Sequence, residues 1–169
     1  MEFKLKSISK SGIPEAISKV ELYRYLNESE EAESICHDIL AVERDNQLAV
    51  RLLGLTITDQ FTGHPTDRYA EAERIFHSLT DPYERSYYTG LLYERRAKAQ
   101  LAVGRPPHTL LILFENALHY FEQAEAIRPE GNDDAILRWN RCVRLLQSRL
   151  GSVWQKEMEA IDASDSPPV

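Results

Sequence analysis

From residue 13 onward, apolar positions recur at intervals of three and four. That is the period of an amphipathic helix, not the strict alternation of a strand. Ile17, Val20, Tyr23 and Leu26 form the first stripe, opened by Ile13-Pro14-Glu15. Proline suits a first turn, and the carboxylate suits the positive end of the helix dipole. Asn27-Glu28-Ser29-Glu30 offers a turn and cap for a second helix with Ala32, Ile35, Cys36, Ile39 and Leu40 on one face. A third helix is expected over residues 47–61, with Val50, Leu53, Gly54 and Ile57 on one side. A fourth is expected over 67–79, with Tyr69, Ala72, Ile75, Phe76 and Leu79. Asp81 and Pro82 read as an N-cap and a first-turn proline for a long fifth helix ending near Val103. The sixth spans 109–127. The seventh starts near Asp133 and reaches about Met158, with Gly151 as the position where it would divide.

Breakers fall between these stripes. Thr62-Gly63-His64-Pro65-Thr66 is a loop, Gly104-Arg105-Pro106-Pro107 ends the fifth helix, and Pro129-Glu130-Gly131-Asn132 is a turn. Residues 1–12 alternate charge and apolarity through Phe3, Leu5 and Ile8 and read as a short N-terminal arm. Residues 162–169, made of Ala, Ser, Asp, Pro and Val, read as a disordered tail. One all-α domain over 13–161 is the expected organisation. Helices joined by short turns point to a right-handed array.

Composition narrows the function classes. The chain has 169 residues with 43% hydrophobic and 28% charged, which is globular rather than disordered. Its net charge of −7 disfavours generic nucleic-acid binding, which needs surplus Lys and Arg against phosphates. The opening Met-Glu-Phe-Lys-Leu-Lys-Ser lacks a signal-like apolar core. No run approaches the roughly 20 apolar residues of a membrane span. A soluble, cytoplasmic protein without a membrane partner is expected. Cys36 and Cys142, both inside helical patterns, argue against a disulfide framework.

The spacing of large and small residues goes further. Ala117, Phe121 and Ala124 share a helical face that Pro129 terminates. Ala72, Phe76 and Leu79 repeat the arrangement, as do Ala32, Cys36 and Ile39. Leu53-Gly54 is followed by Ile57, and Thr89-Gly90 by Tyr93. This pattern resembles the tetratricopeptide (TPR) repeat, a helix–turn–helix unit of about 34 residues. In that unit the distance from the second-helix Ala to the next Gly is about 22 residues. Gly54 follows Ala32 by 22 residues, and Trp139 follows Ala117 by 22. Gly90 follows Ala72 by only 18, and Ala117 follows Gly90 by 27. The units are therefore degenerate. The resemblance implies a right-handed α–α superhelix of about three repeats plus a C-terminal capping helix.

The resemblance also implies a non-catalytic adaptor or scaffold that binds another protein, as a peptide or partner helix, in a concave groove. Candidate groove residues are Glu21 and Arg24 from the first unit and Arg51, Leu55 and Thr58 from the second. Tyr87, Leu91, Glu94 and Arg95 come from the third, and Asn140 and Arg144 from the closing helix. One subtype of the family holds a C-terminal carboxylate with Lys and Asn. Here those places carry Ile17, Glu21, Leu52, Glu84 and Tyr88, so that clamp is not expected. The alternative is a homodimer through the closing helix by Trp139, Val153 and Trp154. An enzyme ranks lower: Gly-x-Ser-x-Gly, Cys-x-x-Cys and a phosphate-binding Gly loop are missing. The five histidines offer no pair at i,i+3 or i,i+4, so no metal or cofactor is expected.

Overall fold

The computed structural model describes the backbone of residues 3–164 and the side chains through Arg149. Among the described residues seven α-helices follow one another: α1 (Ile13–Tyr25), α2 (Ser29–Val42), α3 (Gln47–Asp59), α4 (Tyr69–His77), α5 (Pro82–Ala102), α6 (Leu111–Ala126) and α7 (Asp134–Ser164). No strand occurs among the described residues. The N-terminal arm is exposed and irregular up to a short 3-10 turn at Lys10–Gly12.

The helices start where local chemistry allows. Asn46 caps α3 by accepting from the Ala49 N–H at 2.9 Å, and Asp81 caps α5 by accepting from Glu84 N–H at 3.0 Å. Asn27 takes φ 60° in the turn between α1 and α2, a conformation asparagine tolerates better than most residues. α4 is shorter than the stripe suggests, because residues 62–68 are gathered around Asp67 before the helix begins. Gly151 does not divide α7. The helix runs on to Ser164, so residues 162–164 of the expected tail are helical, while 165–169 lie outside the described residues.

Each helix packs on the next in sequence. In addition α1 touches α3, α3 touches α5, and α5 touches α7. No comparable packing joins α2 to α4 or α4 to α6 among the described residues. The odd-numbered helices thus form one layer and the even-numbered helices another. The seams are built from the residue sizes noted in the sequence. A Cβ placed on Gly54 would lie 2.4 Å from the Phe76 ring, and one on Gly90 would lie 2.8 Å from the Phe121 ring. Phe76, Phe121, Ala72, Ala117 and Ala124 are fully buried. The tyrosines of α5 complete the seams. Tyr88 stacks on Phe76 at 5.6 Å, and Tyr87 packs on Phe121 at 6.0 Å.

α2 and α4 are tied by charge instead. Arg68, at the N-cap of α4, donates to both oxygens of Glu33 at 2.7 and 2.9 Å and to Glu71 at 2.7 and 2.8 Å. This hydrogen bonding from Arg68, opposed by burial, holds the Glu33 carboxyl below its ordinary value of 4.5. A depressed carboxylate stabilises the fold above its unfolded pKa and loses that contribution as pH falls through the folded one. Arg68→Ala should therefore cost about 1 kcal/mol near neutrality, a figure reduced for the exposure of Arg68. The deficit should shrink at acid pH, as the medium falls through the lowered range in which Glu33 and Glu71 protonate. Urea unfolding near neutrality and at acid pH measures it, and a deficit independent of pH would refute the linkage.

Candidate functional site

The odd-helix layer carries the residues expected to line a groove, and the structure gives most of them structural partners. Asp59, the last residue of α3, is the hub. Arg24 of α1 donates Nε to Asp59 Oδ2 at 2.6 Å and Nη2 to Oδ1 at 3.3 Å. Arg95 of α5 donates Nη1 to Asp59 Oδ1 and to Thr58 Oγ1, the latter at 2.7 Å. One carboxylate therefore joins three odd helices. The side chains of Arg24, Asp59 and Arg95 are 21, 19 and 25% exposed, so water screens them only in part. Burial draws Arg95 below its ordinary value; Asp59 opposes that shift and Arg24 adds to it.

Two more links continue the layer. Arg51 of α3 donates to Glu84 of α5 at 2.5 Å. Glu94 of α5 is fully buried, bonds Lys98 one turn on, and faces Arg138 of α7 at 3.5 Å. Its Oε2 has no hydrogen-bond partner.

At one end of this layer the chain opens. Glu21, Arg24, Tyr25, Asn27, Ser29 and Asp59 line a cavity of about 490 Å³. A second, of about 590 Å³, shares Asn27, Ser29 and Asp59 and is bounded by Glu28, Glu30 and Glu31. Tyr25, which lines the first cleft, is an exposed aromatic, and Leu22 in the last turn of α1 and Leu26 at its C-cap are exposed as well. These openings are surface clefts and not deep enclosed pockets.

The expected groove residues separate accordingly. Glu21 is exposed at the cleft rim, and Arg24 is in its wall. Arg51 and Arg95 are half-buried in ion pairs. Leu55, Thr58, Leu91 and Glu94 are buried and offer a partner no surface. The reason is geometric. Leu55 and Leu91 each follow a seam glycine by one residue, a rotation of about 100° that turns them into the fold. Tyr87 is half-buried among Tyr83, Tyr88 and Phe121. Asn140 is half-buried and Arg144 exposed on α7, which packs on α5 and α6 and is remote from the cleft at α1 and α3.

Sequence reasoning missed Asp59. A signal was present: a carboxylate at a helix C-terminus opposes the helix dipole and calls for compensating cations. Trp139 packs half-buried on the second core cluster, which includes Phe114, Phe121 and Cys142. The side chains of Val153 and Trp154 lie outside the described residues. Cys36 and Cys142 are free and buried, and burial pushes both thiols up to about 12, so they stay protonated. Among the described residues no cluster of His, Cys, Asp or Glu is arranged to hold a metal ion, and no helix is long and apolar enough to cross a membrane.

Comparison with protein-family models, with curated proteins and with solved structures finds no match to this chain.

Proposed function

We propose that this chain is a TPR-like interaction module that holds an extended peptide or a partner helix along its odd-helix layer, without chemistry of its own. The observation that carries the reading is the contact of α1 with α3, α3 with α5 and α5 with α7, unmatched in the even layer. A closer-spaced layer of helices is the inner side of a curved array, and repeat arrays present that side to partners. The glycine–phenylalanine seams at Gly54 and Gly90 are consistent with the same packing.

The cleft beside Glu21 and Tyr25 is the accessible entry to this side. Its acidic border favours a guest that brings cations, with Tyr25 as an aromatic contact. The ion pairs among Arg24, Asp59 and Arg95 keep the wall rigid, which lowers the ordering cost of binding.

The test is a photoreactive residue placed at Glu21, compared with one at Arg74, which is exposed on α4 of the other layer. In native lysate the Glu21 probe should cross-link a defined protein that the Arg74 probe does not. Equal labelling from both positions, or none from Glu21, would retire the groove.

A further inference from the structure

We propose a second site, independent of the groove: the cleft between the α3–α4 loop and the C-terminal half of α5 binds a phosphoryl group. Its volume is about 310 Å³, and His64, Tyr69, Arg96, Gln100 and Arg105 are among the residues that line it. That is the small end of ligand pockets, which run from about 300 Å³ upward. It admits one compact anionic group.

Two arginines, Arg96 and Arg105, line this one cleft together. The chain has 27 acidic and 20 basic residues, and elsewhere Arg24, Arg51, Arg68, Arg95 and Arg138 all face carboxylates. Arg96 and Arg105 have no ion pair among the described residues. Arg96 lies over the Tyr69 ring at 4.2 Å, which fixes the plane of its guanidinium. Its Nε is covered from water and has no hydrogen-bond partner. Two guanidinium forks match the oxygens of a phosphate better than ammonium groups do.

The cleft is also preformed. Asp67 accepts from Thr62 N–H at 2.9 Å, Thr62 Oγ1 at 2.8 Å, Gly63 N–H at 2.7 Å and Tyr69 Oη at 2.7 Å. These four donors occupy the one carboxylate of the loop. Gly63 sits at φ +83°, and a Cβ there would meet the Ala99 carbonyl oxygen at 2.4 Å, so the loop reaches α5 only with glycine at this place. Glu73, which lines a small neighbouring pocket with Arg96, accepts from the Tyr93 hydroxyl at 2.8 Å.

The full chain is titrated calorimetrically with inorganic phosphate, with acetate, and with a phosphoserine peptide beside its unphosphorylated form. Phosphate should bind and acetate should not. Tighter binding of the phosphopeptide than of phosphate assigns the group to a partner protein, and the reverse order assigns it to a small molecule; both support the site. Arg105→Ala, at an exposed position, should weaken phosphate roughly tenfold or more, the effect of losing a charge-assisted contact. Arg96→Lys, which keeps the charge and loses the fork, should weaken it as well. Arg44→Ala, an exposed arginine elsewhere, should change nothing. Absence of phosphate binding, equal affinity for acetate, or equal loss in Arg44→Ala, meaning an adventitious ion only, would each overturn the proposal.

Discussion

Replacing Phe76 by alanine should lower the unfolding free energy by about 3–5 kcal/mol, the range for emptying a fully buried aromatic position. The ring is completely buried, stacks on Tyr88 and fills the space above Gly54, so collapse of the surroundings cannot recover the loss. Gly54→Ala tests the same contact from the other side. In an unconstrained helix that change gains about 1 kcal/mol. Here the new methyl would stand 2.4 Å from the Phe76 ring, and overpacking costs about 1–3 kcal/mol. The net change should be destabilising with Phe76 present. With Phe76→Ala in place the sign should reverse, because the methyl enters the vacated space. Urea unfolding of the four chains measures the cycle. Strict additivity would show that the seam is not held by this pair.

Asp59→Ala should cost about 2 kcal/mol. An exposed ion pair is worth about 0–1 kcal/mol, and breaking a fully buried one costs about 3–5 kcal/mol. Asp59 lies between these limits, since its side chain and those of Arg24 and Arg95 are mostly but not fully covered. Its removal leaves two guanidinium groups facing each other, and Arg24 already disfavours the charge on Arg95. The loss should be larger for Asp59→Ala alone than for Asp59→Ala combined with Arg95→Ala, because the second change removes the stranded cation. A cost below about 0.5 kcal/mol, or one unaffected by Arg95→Ala, would contradict the role of this hub. The substitution also bears on function: it loosens α1, α3 and α5 from each other beside the cleft at Glu21, and so should weaken any guest of the groove.

Much of the helical plan was legible because helix formation answers to short-range patterns. The caps at Asn46 and Asp81, the proline at 82 and the breakers at Gly104 and Pro129 act within a few residues of themselves. The spacing of Gly54, Phe76, Gly90 and Phe121 was legible for a related reason. Residue size at a fixed helical phase is enough to indicate where two helices approach closely.

The charged positions were another matter. Arg24, Arg51, Glu94 and Arg95 looked like surface contacts for a partner and are internal links or buried groups. Their cross-helix partners stand some 33 to 44 residues away in the chain, and the degenerate repeat, which marks where small and large residues recur, does not say which charged side chains meet over that distance. The same holds for Arg68 with Glu33, and for Arg96 over Tyr69 in the unpaired basic cleft.

The order, approximate lengths and mutual seams of the helices were thus set by the sequence alone, since backbone hydrogen bonding and side-chain volume act locally and repeat along the chain. Only the tertiary structure decided which charges meet, because a salt bridge depends on the position of one side chain relative to another across three dimensions. It also decided where the clefts fall, beside Glu21 and Asp59 at the ends of α1 and α3 and between Arg96 and Arg105, for a cleft is set by how elements distant in the chain are placed against each other.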